Sequence, residues 1–442
     1  MRGHFSPFAP PRIQGEKCPQ MKRPLGFLGF LLILLGCWTL PAWGQEQKGP
    51  LTLAECYRLA LKQSEEIAIR QELIAESEGR FQQAFSGVLP KVAFSSSDKR
   101  QDGSGGSAFT LRQVPERKFT FSQPLFSGFK EFAAMNLSKA QGRQRALEKN
   151  RAEQLLFLDV TDAFTLLVEE RKDLEALESV RNALAERMEE LRVREKLGRS
   201  RTSEVVAAAA QGYRVEAEVA LVQSEEVVAR QLLEFLTGLP SVGEVAEETA
   251  VPSLEEEKFY LARTISRSDV RATEEAATAA GEEVRIAKAK IWPTVSLEGN
   301  YFVERAGAAK DVDWDAALKV DLPLFEGRQT AGAVKEASSR ARQAELRLTE
   351  AGRRAASETR QAYAKVQSAL ARSEALKKAV AAAEENYLLQ VEDFRRSLVN
   401  HLEVLQALHD LENGRRELIH AQQEVRRAYG RLQVAIGEVR SS

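Results

Sequence analysis

Two hydrophobic periods alternate along the chain. From Leu51 to about Ser86 apolar side chains recur at the three- and four-residue spacing of an amphipathic helix, and the pattern stops before Pro90. A two-residue period replaces it. Val92 and Phe94 alternate with Lys91 and Ser95, and Phe119 and Phe121 with Lys118, Thr120 and Ser122, which predicts a hairpin over 91–124. The intervening QDGSGGS lacks the strand-to-helix setting of a phosphate cradle and reads as a loop. A helical pattern then runs over 129–196, and a return helix over 202–236. The same series follows again. A helix from Leu254 to about Lys290 ends before Pro293; Val295, Leu297, Tyr301 and Val303, then Trp314, Ala316, Leu318, Val320 and Leu322, form the apolar side of a hairpin over 294–323; a long helix covers 328–394 and a return helix 401–436. Gly198 stops the first long helix, with Thr202 or Ser203 as the next N-cap and Glu204 in the following turn; Ser397 marks the matching tip, with Asn400 as cap and Glu403 after it.

The chain is therefore two copies of one unit. Displacing it on itself by about 199 residues lays PLFSG (Pro124 to Gly128) on PLFEG (Pro323 to Gly327), and GRSRTSEVV (Gly198 to Val206) on SLVNHLEVL (Ser397 to Leu405). The copies occupy 45–245 and 246–442. Residues 1–44 read as a presequence and signal peptide: Met21-Lys22-Arg23, an apolar run, then Ala-Trp-Gly at 42–44, with Met21 as the initiator. A rival reading takes LLGC, Leu34 to Cys37, as a lipoprotein box in which Cys37 carries lipid. With cleavage after Gly44, Cys56 remains as the sole cysteine and no internal disulfide can form.

Strands with one apolar and one charged face, Lys319 and Asp321 included, fit a soluble sandwich or an outer-membrane barrel. Export, strands near ten residues and aromatic residues at strand ends (Trp314, Phe126, Phe325) favour the barrel. Lipid tolerates no open sheet edge, and four strands cannot close around water, so several chains must share one barrel. The long helices, about 67 residues or on the order of 100 Å each, carry the same demand. In the first, Leu156, Val160, Ala163, Leu167, Leu174, Leu177, Leu184, Met188 and Leu191 follow a coiled-coil seam interrupted at Glu170 and Arg181. Such a helix, polar elsewhere, needs neighbours.

Charge adds an exclusion. The 63 basic and 64 acidic residues leave a net charge of −1, without the basic surplus of a nucleic-acid partner. No cofactor motif or catalytic constellation stands out, so the chain reads as a non-enzyme. His401, His409 and His420 lack the i, i+4 spacing of a metal pair and read as solvated helix residues; Cys56 reads as a packed thiol.

The ordered set of LP or WP entry to a hairpin, PLFxG exit, long helix and capped turn into EVV or EVL, written twice, resembles the TolC family of outer-membrane efflux proteins. The likeness runs from LTLAECYRLAL (Leu51 to Leu61) to VAIG (Val434 to Gly437). It implies a mainly α fold with a small β section: a long antiparallel helical coiled-coil barrel, plus four β-strands per chain contributing to a trimeric 12-stranded outer-membrane β-barrel. It also implies an exit duct of a tripartite efflux or type I secretion system, a homotrimer working with a periplasmic adaptor and an inner-membrane RND or ABC transporter. Pro124, Gly128, Pro323 and Gly327 would mark the barrel-to-tunnel junction, Gly198 and Ser397 the tip turns, and Glu403, Gln406 and Glu204 the periplasmic aperture. Gln406 departs from the acid that a second ring would need. The alternative from another class is a secreted periplasmic coiled-coil scaffold without a pore.

Overall fold

A computed structural model describes residues 49–103, 106, 110–246 and 253–439; the readings of 1–44, Met21 and Cys37 among them, and part of the QDGSGGS loop lie outside the described residues. The first expected helix is two. Helix α1 (Leu53–Gln63) starts in a capping box, Thr52 and Glu55 each bonding the other's backbone N–H. It ends at Ser64, whose backbone turns extended and whose hydroxyl accepts from the Ile67 N–H to start α2 (Glu65–Ser86). The helix expected over 254–290 is also broken, into α5 (Glu257–Leu261), a 3-10 turn (Thr264–Ser266) and α6 (Ser268–Ala289). Arg267 sets the second of these breaks. Its backbone is extended, and its buried guanidinium pairs with Asp269 (2.5 Å) and Glu358 (2.8 Å), tying α6 to the second long helix.

Both hairpins enter one antiparallel sheet, in the order β1 (Lys91–Arg100), β2 (Gln113–Ser127), β3 (Thr294–Arg305), β4 (Trp314–Asp321). β2 and β3 join the two copies, and among the described residues β1 and β4 each keep one edge without a neighbour.

Two long helices continue from the sheet, α3 (Lys130–Lys196) and α7 (Gln329–Arg395), and each is followed by a return helix, α4 (Thr202–Thr237) and α8 (His401–Ala435). Each long helix has 67 residues, about 100 Å of rise. Next to the sheet α3 packs between α2 and α6, and α7 against α6; towards the other end α3 packs between α4 and α8, and α7 against α8. The body is thus a slab one helix thick, open at its sides, with its core in the seams. Leu156, Val160, Ala163 and Leu167 bury against Cys56, Tyr57, Ala60 and Leu233; Leu177 and Leu184 against Val215, Val219 and Val222; Leu191 against Ala208, Phe394 and Val404. Leu174 and Met188 are half-buried. Among the described residues no helix is long and apolar enough to cross a membrane.

Candidate functional site

The sheet separates apolar from polar side chains. Residues directly paired across an antiparallel ladder share a face. One face holds Val92 and Phe121, the row Phe94, Phe119, Tyr301 and Trp314, and the pairs Leu297 with Leu318 and Val295 with Val320. Most of these large apolar groups are exposed. From Trp314 to Leu322 eight residue steps extend roughly 27 Å, or roughly 20 Å of height at a tilt near 40°. The opposite face is polar. Thr120 donates to Asn300 (3.0 Å), Asn300 to Asp315 (2.7 Å), and Lys319 lies 3.9 Å from Glu298. Phe302 is buried on that side, under Lys118 and Arg305, whose charges stand 5.6 and 4.0 Å from its centroid.

The two PLFxG segments turn the sheet into helix. Gly128 and Phe129 have φ of 66° and 63°, and Gly327 and Arg328 of 57° and 68°, so each junction is two successive left-handed residues. Gly128 is doubly constrained, since a Cβ there would lie 2.6 Å from the Ala289 carbonyl oxygen; around Gly327 there is open space. Pro124 does not end its strand. It pairs with Ser296 inside β2, next to a register shift before Phe126. Its missing N–H is tolerated because β1 begins opposite Ser122, leaving that side of β2 free. Pro323 follows the end of β4. Phe126, Phe129 and Trp292 pack edge to face around the first junction.

At the far end, Gly198 (φ 70°) and Ser397 (φ 62°) occupy matching left-handed positions. In each turn two N–H groups reach back three and five residues, from Gly198 to Glu195 and Arg199 to Arg194, and from Ser397 to Phe394 and Leu398 to Asp393, closing a Schellman motif. The starts of the return helices differ. Asn400 and Glu403 form a capping box at α8, with bonds of 3.0 and 3.2 Å. Arg201, and not Thr202 or Ser203, is the cap residue of α4, and its side chain caps nothing; the Ser200 hydroxyl instead donates to the Glu204 carboxylate at 2.5 Å. Glu403 and Gln406 share one exposed stripe of α8, where Gln406 donates to Asp410 at 2.8 Å. Glu204 sits on the other hairpin, beside His401.

The fold of this chain recurs in known proteins. Residues 264–438 match the family model described as outer membrane efflux protein. The matched segment is most of the second copy, about two fifths of the chain. The described chain as a whole has the fold of such proteins. It resembles the outer membrane protein VceC of Vibrio cholerae with a TM-score of 0.75 at 21% identity, over 87% of this chain and 96% of that one. It resembles the CmeC outer membrane channel of Campylobacter jejuni with a TM-score of 0.75 at 16% identity, over 90% of each chain. Nodulation protein T of Rhizobium leguminosarum bv. trifolii is 24% identical over 177 residues, a match spanning 39% of this chain and 38% of that protein.

The matched segment comprises the 3-10 turn, α6, β3, β4, α7 and α8, and ion pairs fasten its last helix to the first half of the chain. Arg416 of α8 grips Asp173 of α3 at 2.7 and 2.9 Å and Glu218 of α4 at 2.5 Å. Arg427 pairs with Glu169 at 2.6 Å, and His420 bonds the same carboxylate. Burial pushes Glu169 up, but His420 and Arg427 hold it below the usual carboxylate range; that bond raises His420 in turn. Glu170 is different. Burial, then Glu225, Glu169 and Asp173, push its carboxyl up to about 7. Glu170 interrupts the apolar seam, and the acids beside it, Glu169 and Asp173, pair with arginines more than 240 residues away. Of the three histidines expected to be solvated, His409 is exposed, but His401 is 1% exposed and His420 is paired. Cys56 is fully buried, its thiol pushed up to about 12 by burial and then by Glu55.

Proposed function

We propose that three copies of this chain close a 12-stranded barrel in the outer membrane and a helical tunnel below it, forming the exit duct of an efflux or secretion system. One observation carries the reading: a sheet with a bare apolar face, a polar face and two open edges continues into a helical slab that is open on the same two sides. In lipid the edges of β1 and β4 must find partners, and identical chains supply them. The bare face then meets acyl chains, and Thr120, Asn300, Asp315 and Glu298 line water. A soluble scaffold would leave that apolar face without a partner. The comparisons support the same assignment, since an efflux-family domain on this fold belongs with outer-membrane channels. A periplasmic adaptor and an inner-membrane pump of the RND or ABC class complete the system, because the duct itself carries no nucleotide-binding loop.

The tips at Gly198 and Ser397 form the inner end. Three copies of Glu403, with Glu204 nearby and Gln406 one turn on, give the aperture a negative ring that disfavours anions. Purification decides the main reading: the protein should partition into detergent-extracted outer membrane as a heat-modifiable trimer with stepwise conductance in lipid bilayers. A monomer that stays dissolved without detergent refutes it. Glu403→Gln should reduce cation preference in the reversal potential; unchanged selectivity removes Glu403 from the aperture.

A further inference from the structure

His401 is the first residue of α8, is 1% exposed, and has both ring nitrogens buried without a hydrogen-bond partner. A buried imidazole in that state forfeits the bonds that water would give it, so a leucine of similar size would hold this corner better. Its surroundings are specific. The ring lies 5.7 Å from that of Phe394, at the end of α7, and the Phe394 ring is covered by the Arg194 and Arg187 guanidinium groups of α3 at 4.5 and 5.2 Å. Glu190 holds both arginines, at 2.6 and 2.9 Å. The charged groups facing His401 are thus Arg187, Glu190 and Arg194 from α3 and Glu204 from α4, while α7 presents Phe394. The Glu204 carboxylate already accepts from Ser200. The matching position of the first copy, Thr202, is exposed, so the repeat does not require a buried side chain here.

We propose that His401 and Phe394 form an acid-released lock between the two hairpin tips, in which proton uptake by the imidazole expels it from the box and frees the Ser397 ends of α7 and α8 from the end of α3. The neutral ring fits because it adds no charge beside two arginines. The protonated ring would be a third cation in an apolar box whose acids are already engaged, and the route to solvent is outward, with the turn that it starts. Phe394 and His401 flank the Ser397 turn, so their release moves the tip and the Glu403 stripe together. Burial, then Arg187, lowers His401 to about 4 against an ordinary 6.5, so release spans the interval between those values. That interval allows a shift in the locked-to-released ratio on the order of a hundredfold per chain. The consequence for conduction rests on the duct reading; the lock itself does not.

A spin label at Leu398→Cys, in the full detergent-solubilised chain with its other cysteines replaced by serine, reads the lock directly. Label mobility should rise as pH falls from 7 to 4 in the His401 protein, and should stay at its low neutral-pH value in His401→Leu, which should also melt at a higher temperature. An unchanged label in the His401 protein overturns the lock, as does the same acid transition in His401→Leu. Bilayer recordings across the same pH range then separate the two readings: acid mobility with unaltered conductance supports the lock and counts against the tip as the aperture.

Discussion

At the scale of single residues, left-handed backbone is placed where chain direction changes, and the glycines there are not equivalent. Gly198 and Ser397 fill the same tip position, so serine shows that a side chain is tolerated there. Gly198→Ala should therefore cost only the conformational penalty, about 1 kcal/mol. At Gly128 the new Cβ also meets the Ala289 carbonyl oxygen at 2.6 Å and the Trp292 Cβ at 2.9 Å, neither of which can swing aside. Thermal unfolding of the assembled protein should show Gly128→Ala as much the more damaging. Glu170 gives a signed pH effect. Its folded value of about 7 lies above the ordinary 4.5, so the proton that it keeps stabilises the fold fully below 4.5, and that contribution is lost as pH rises through 7. Glu170→Gln should match the parent at pH 5 and exceed it at pH 8 by on the order of 1–3 kcal/mol, seen as a higher Tm. Neither effect was legible in the sequence, because both depend on atoms brought close by folding.

Among elements, the strongly periodic segments were the legible ones. The helices expected over 129–196 and 328–394 lie within a residue of α3 and α7, since a long amphipathic run and a left-handed stop are local signals. The helices that precede each hairpin differ from the expectation, whereas the return helices α4 and α8 end within a residue of it. Ser64 and Arg267 break what the apolar spacing alone would continue, one by capping and the other by turning a charged side chain inward. The same limit applies to the ties between helices. Asp173 is nearly inaccessible, and Arg416 neutralises it from α8. Arg416→Ala leaves that carboxylate buried and uncompensated and should cost about 3–5 kcal/mol, as a loss of thermal stability that Asp173→Asn in the same chain partly restores.

For the whole molecule, the decisive asymmetry is between the faces of the sheet. Phe121 and Thr120 are neighbours in sequence and point to opposite sides. In the assembled barrel Phe121→Arg places a charge in lipid and should cost about 2–4 kcal/mol, whereas Thr120→Arg, in water, should leave assembly intact. The yield of heat-modifiable oligomer after each substitution measures the difference. Equal tolerance at both positions would mean that neither face meets lipid.

The sequence by itself determined the repeat, the two periods, the long helices and the side of each strand that is apolar, because backbone geometry converts local spacing directly into faces. Tertiary structure decided which elements meet: that hairpins about 200 residues apart merge into one sheet, that α3 of one copy carries α8 of the other, and that His401 is buried. Those choices follow from packing and charge pairing between distant segments, whose free energies depend on distances that no spacing along the chain encodes.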